Sequence, residues 1–232
     1  NATGSGNVSG TLLTLTGSSI NNSYVDLGTV VSGSSSVGGL VGWNEGSILK
    51  SYVNGGNVSG ITNIGGLVGA NANASTSIGG TFSGGFSWSG GAVIKSYVDS
   101  GVVNGTNRVG GLVGSNTFAT IQESYARDSS AAATNNDVGG LVGANVTGII
   151  KTSHTSGMAV SGDNNVGGLV GLNRAGDGGV GGDGSGGVTG ASGVAGRDAT
   201  ISNSYVVGGT VGGGATASNI GGLVGLNQGG IG

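Results

Sequence analysis

The chain has 232 residues, of which 58 are Gly, with no Pro, no Cys and a formal charge of −3. Gly follows no three-residue period and Pro is absent, which excludes a collagen helix. Seven Lys and Arg spread over the whole length provide no nucleic-acid footprint, and no apolar run approaches the ~18 residues of a membrane span. Charge is scarce and apolar residues recur, unlike a disordered chain, and the lack of Cys suits an extracellular location without requiring one.

Two landmarks alternate along the chain. I-N-N-S-Y ends at Tyr24, and V-G-G-L-V-G follows at 37–42, carrying Leu40 ahead of Asn44. I-L-K-S-Y then ends at Tyr52, ahead of Leu67 and Asn71. I-K-S-Y ends at Tyr97, ahead of Leu112 and Asn116, and I-Q-E-S-Y ends at Tyr125, ahead of Leu141 and Asn145. I-K-T-S-H puts His154 in the Tyr position, ahead of Leu169 and Asn173, and I-S-N-S-Y ends at Tyr205, ahead of Leu223 and Asn227. Six residues beyond each aromatic landmark stand Val30, Val58, Val103, Ala131, Val160 and Val211. Successive G-G-L-V-G leucines lie 27, 45, 29, 28 and 54 residues apart, so the unit is about 28 residues and two units are overlong.

Each unit holds three short apolar stretches rich in Tyr, Val, Ile and Thr, which is strand length and strand composition. One unit cannot bury its apolar side alone, whereas stacked units share a continuous core. The pattern predicts an all-β fold: one parallel β-solenoid domain over 1–232, with three short strands and three corners per coil and roughly eight coils. Gly is expected at corners that need positive φ. V-G-G-L-V-G reads as one thin alternating strand lying close to another backbone. Each Asn marks a turn, and six at one register predict an amide ladder along the stack. The Leu and Tyr rows are read as structural ladders beside it.

Both overlong units expand between the Asn and the next aromatic landmark, so the insertions, about 72–92 and 174–199, should leave one corner. The first carries Phe82, Phe86 and Trp88, read either as a cap on the solenoid side or as a contact patch for protein or glycan. In the second, Asp177 and Asp183 hint at calcium-binding Gly/Asp repeats. Their spacing departs from that pattern and two carboxylates are few for calcium, so neither a metal nor another cofactor is expected.

The V-G-G-L-V-G-x-N cores with intervening S-Y-V-x-G-x-V-x-G resemble the GLUG-motif repeat family, named for a core that here reads Gly39-Leu40-Val41-Gly42 and its five equivalents. The resemblance covers nearly the whole chain outside the insertions. It implies an extracellular, secreted or surface-anchored microbial protein of adhesin or haemagglutinin type, with a structural or adhesive role. Some such repeats lie beside immunoglobulin A peptidase domains, but the motif carries no catalytic residue.

The residues themselves point away from an enzyme. H-E-x-x-H, G-x-S-x-G and P-loop signatures are absent, and His154 reads as a member of the Tyr row. Asp137 and Asp163 read as corner residues. Sequons at Asn1, Asn7, Asn21, Asn57, Asn73, Asn104 and Asn145 are candidate N-glycan acceptors.

The chain opens without an initiator Met, as a processed part of a longer product would. G-N-V-S-G at 6–10 matches 56–60, and N-Q-G-G-I at 227–231 matches N-E-G-S-I at 44–48, so neither end reads as a cap. The expected role is a subunit of an extracellular filament, its partners being copies of itself stacked head to tail through open solenoid ends. The alternatives are a segment of a long surface adhesin flanked by further repeats and binding a glycan or protein ligand, or an ice- or polysaccharide-binding module. A single local T-L-T at Thr14 and Thr16, with no equivalent in later coils, weakens the ice reading.

Overall fold

The structure is a computed structural model and describes residues 18–26, 30–72, 91–175 and 198–228. Among these the fold is an all-β parallel solenoid built from four sheets. One full coil runs Thr120–Gln122, Tyr125–Arg127, Ser130–Gly139 and Val142–Val146, one strand to each sheet, and the next coil begins at Ile149–Lys151. Equivalent strands pair in parallel, with local register shifts in the long strands of the third sheet: Ile121 opposes Ile150, Tyr125 opposes His154 and Asn116 opposes Asn145. The described residues supply six levels of stack. Residues 1–17 and most of both insertions lie outside them.

Four sheets replace the three strands per coil expected from the sequence, and the V-G-G-L-V-G stretch is where they differ. It is not one alternating strand. Ser35–Gly38 ends the third sheet, Gly39 and Leu40 make the corner, and Val41–Asn44 begins the fourth. Just past the corner two backbones come into contact: a Cβ on Gly114, in the fourth-sheet strand Val113–Thr117, would lie 2.5 Å from both Asn63 C and Ile64 N. Any side chain there would separate the third and fourth sheets.

These glycines are therefore selected by close approach and not by φ. Positive φ at the other corners falls mostly on residues with side chains. Asn22, Lys50, Lys95, Glu123, Thr152 and Asn203 take it between the first and second sheets, at φ 48–51, and Ser36, Asn63, Arg108, Asp137, Asn165 and Asn219 take it just before V-G-G or I-G-G. Gly supplies positive φ between the second and third sheets, at Gly55, Gly157 and Gly208, where Ser100 and Asp128 also accept it.

Inward positions form one apolar cluster. Ile48, Val93, Ile121 and Ile150 come from the first sheet, and Leu67, Leu112, Leu141 and Leu169 from the Gly-Leu corner, all 0% exposed. In the second sheet Ala126 and Thr155 replace the usual Val. The Met158 side chain reaches the space beside Ala126 near Gly111, and the Thr155 hydroxyl donates to Gly168 O at 3.0 Å. In the first coil Val31, not Val30, opposes Val58. That coil is one residue longer between its second and third sheets than the six-residue count assumed, so Val30 faces out at 71% exposure.

Candidate functional site: ladders, lateral faces and coil ends

Register kept at the landmark residues turns the Asn and aromatic positions into rows along the axis. The Asn row lies at the corner between the fourth and first sheets, buried from Asn44 to Asn173 and exposed at Asn227. Asn44 Nδ2 donates to Asn71 Oδ1 at 2.7 Å, and the relay continues through Asn116, Asn145, Asn173 and Asn227 at 2.7–2.9 Å. The amides from Asn44 to Asn173 also donate to a backbone carbonyl across their corners: Asn44 to Gly46, Asn116 to Ala119 and Asn145 to Gly148, each at 3.0 Å. Asn71 makes the same bond to Gly91 and Asn173 to Ala199, across the two insertions. Both insertions thus leave from the Asn corner and return to it. Ala72 and Ala92, at the bounds of the expected 72–92 insertion, lie in strands, and 73–90 are outside the described residues. Phe82, Phe86, Trp88, Asp177 and Asp183, and the sequons at Asn1, Asn7 and Asn73, lie outside the described residues.

A second buried row escaped the sequence reading. The Ser before each Tyr or His donates its backbone N–H to the Oγ of the Ser one level on, from Ser23 through Ser51, Ser96, Ser124 and Ser153 to Ser204, at 3.1–3.2 Å. Each hydroxyl donates in turn to the carbonyl two residues before it, as Ser96 does to Ile94 at 2.9 Å. The repeated S-Y pair was the available signal. It was used as a landmark and not as a bonded group.

Tyr24, Tyr52, Tyr97, Tyr125, His154 and Tyr205 stack on the outer side of the second sheet, with neighbouring ring centroids 4.8–5.1 Å apart. Burial, with the Tyr125 phenol second, pushes the Tyr97 hydroxyl pKa up. Burial alone lowers that of His154 and favours the neutral imidazole. Beside the row, Arg127 pairs with Asp99 at 2.5 Å and lies 5.9 Å over the Tyr125 ring. The Arg127 hydrogen bond holds the Asp99 carboxyl below its usual range. Lys95 and Glu123 form a more exposed pair at 3.4 Å, of the kind that contributes little to stability.

Asp137 is buried before its V-G-G and accepts from Asn165 Nδ2 at 2.7 Å. Asn219 continues that row to Asn165 at 2.8 Å. Burial raises the Asp137 pKa, against the opposing Asn165 hydrogen bond and Arg108 charge. Among the sequons, Asn21, Asn57 and Asn104 are exposed. Asn145 is 0% exposed with its amide in the ladder, which removes it as a glycan acceptor. Among the described residues no three His, Cys, Asp or Glu gather as metal ligands, and no helix is long and apolar enough to cross a membrane.

The last described level differs from the middle of the stack. Gly39, Gly66, Gly111, Gly140 and Gly168 each face the carbonyl of the equivalent Gly one level on, leaving no room for a Cβ, whereas a Cβ on Gly222 would meet nothing within 4 Å among the described residues. Leu223 is 40% and Ile220 47% exposed, where Leu169 and Val166 are 0%. A 670 Å³ hollow beside them is lined by Asn227, Leu223, Val224 and Ile201.

No family model matches the chain, and no curated protein matches it. Among solved structures the chain is similar to the crystal structure of a candidate immunoglobulin A1 protease from Bacteroides ovatus, with 17% identity and a TM-score of 0.50. The match covers 91% of this chain and 66% of that one. At that identity the likeness is one of fold.

Proposed function

We propose that the chain is a structural unit of an extracellular filament in which further coils continue the solenoid axially, subunit on subunit, and that its role is mechanical or adhesive and not catalytic. The observation that carries this reading is the last described coil. Leu223, Ile220 and Gly222 repeat the residue pattern of the buried levels below them, yet Leu223 and Ile220 are 40% and 47% exposed and no described residue lies within 4 Å of a Gly222 Cβ. An open parallel edge is a template for another strand, and rotation-free head-to-tail stacking generates filaments. The resemblance to GLUG-motif repeats supports a surface or secreted location.

The test uses that open glycine. Wild-type protein at high concentration is imaged by negative stain beside Gly222→Ala. The variant should fold as stably as wild type, because no described residue lies within 4 Å of its Cβ, yet fail to form the fibres that wild type forms. Uniform wild-type monomers, or fibres unaffected by Gly222→Ala, would sink the stacking reading. The second reading, a segment of a longer adhesin, is favoured by the length of the Bacteroides ovatus chain, of which the match covers only part. There the same edge is continued by the chain's own flanking repeats, and wild-type monomers are the expected result.

A further inference from the structure

The chain has five tyrosines, and all five stand in the one aromatic row: Tyr24, Tyr52, Tyr97, Tyr125 and Tyr205. Four are consecutive. Tyr24–Tyr52, Tyr52–Tyr97 and Tyr97–Tyr125 have centroids 5.1, 4.9 and 4.8 Å apart and interplanar angles of 7°, 2° and 3°. Rings stacked this way cover one another's faces, so the middle of the row offers no open face for a sugar. It offers partly exposed phenols, each held against the next by strand pairing. Tyr205 stands apart, because His154 separates it from Tyr125.

We propose that the Tyr24–Tyr52–Tyr97–Tyr125 run is a site of oxidative tyrosine–tyrosine cross-linking, in which hydrogen peroxide acting through a haem peroxidase staples neighbouring coils. Each of two adjacent phenols loses its hydroxyl proton and one electron, giving two phenoxyl radicals. A carbon–carbon bond forms between ring carbons ortho to the two oxygens. The hydrogens on those carbons then move to the oxygens and restore both phenols. The two protons and two electrons released reduce one peroxide to two waters. Fixed neighbours couple ahead of chance encounters between molecules, because their approach entropy is already removed. Every bond formed ties coils distant in sequence, such as Tyr52 to Tyr97, and restricts the unfolded chain as a disulfide would.

The test treats dilute full-length protein with a haem peroxidase and hydrogen peroxide. It reads blue dityrosine fluorescence in denaturing gels and linked peptides by mass. The expected product is a fluorescent monomer band, lighter by two hydrogens per link, with Tyr52–Tyr97 or its neighbours joined. Tyr97→Phe keeps the stack but leaves one adjacent pair of the three, so fluorescence should fall by more than half. Tyr205→Phe should leave it unchanged, and His154→Tyr, which extends the run, should raise it. Circular dichroism confirms that each variant is folded. Fluorescence confined to dimers and larger species, or equal loss in Tyr97→Phe and Tyr205→Phe, would overturn the proposal in favour of unselective surface oxidation.

Discussion

Asn71 Nδ2 donates to Asn116 Oδ1 at 2.9 Å although 45 residues separate them, and the same amide reaches Gly91 O across the first insertion. One side chain thus ties two coils together and also closes the corner from which the chain departs. The ladder holds register along the axis, and its carbonyl bonds let a corner carry an insertion without moving the strands on either side.

Breaking the ladder in its middle should cost more than breaking its end. Asn116→Ala removes the acceptor of Asn71, the donor to Asn145 and the bond to Ala119. With buried polar groups left unpaired, the loss should be about 3 kcal/mol. Asn227→Ala removes one part-buried ladder bond and should cost about 1 kcal/mol. Urea unfolding of both variants measures the difference, and equal losses would show that the ladder is not a cooperative element.

The glycine corners make a sharper contrast. A Cβ on Gly114 would lie 2.5 Å from third-sheet backbone, which has no side chain to give way, whereas a Cβ on Gly212 would meet nothing within 4 Å among the described residues. Gly114→Ala should destabilise by about 3 kcal/mol or more, as severe overpacking does, or abolish folding. Gly212→Ala should stay within about 0.5 kcal/mol of wild type, as open surface sites do. Thermal melts of the pair decide it.

His154 should make stability depend on pH. Burial lowers its folded pKa beneath the ordinary 6.5, so the unfolded chain takes up the proton first. Stability is then full above 6.5, falls as pH drops through that value, and levels off once the folded imidazole is itself protonated. His154→Phe keeps a stacking ring and should remove this part of the profile. The check is the difference between the two proteins' unfolding free energies across pH. An unchanged slope would mean that the imidazole is not held neutral.

The first insertion should be dispensable for folding. Removing 73–90 joins Asn71-Ala72 to Gly91-Ala92, which repeats the intact corner Asn44-Glu45-Gly46-Ser47. Ala92 already pairs with Ser47, and Gly91 N–H already donates to Ala72 O at 2.9 Å. The shortened chain should keep its strand content, measured by circular dichroism, and lie within about 1 kcal/mol of the parent, since loop length enters closure entropy only logarithmically. Loss of fold would show that the insertion supports the solenoid wall.

The sequence by itself determined the repeat, the parallel stacking and the residues of the Asn and aromatic rows, because a translated coil places equal sequence positions one above another. Ile121 over Ile150 and Asn116 over Asn145 follow from alignment of the units alone. Only the tertiary structure decided how many walls a coil has. V-G-G-L-V-G satisfies alternation as a single strand, and nothing local distinguishes that from a corner. The corner forms because Gly114 and its equivalents let the third and fourth sheets touch backbone to backbone, a contact between segments of different coils that periodicity within one unit does not contain. The buried Ser row was hidden for a related reason. A hydroxyl beside a Tyr reads as surface, and it becomes core only when the coil below supplies an N–H and its own strand a carbonyl. The burial of Asn145, which turns a sequon into a ladder rung, was likewise settled by its neighbours above and below and not by the three residues of the motif.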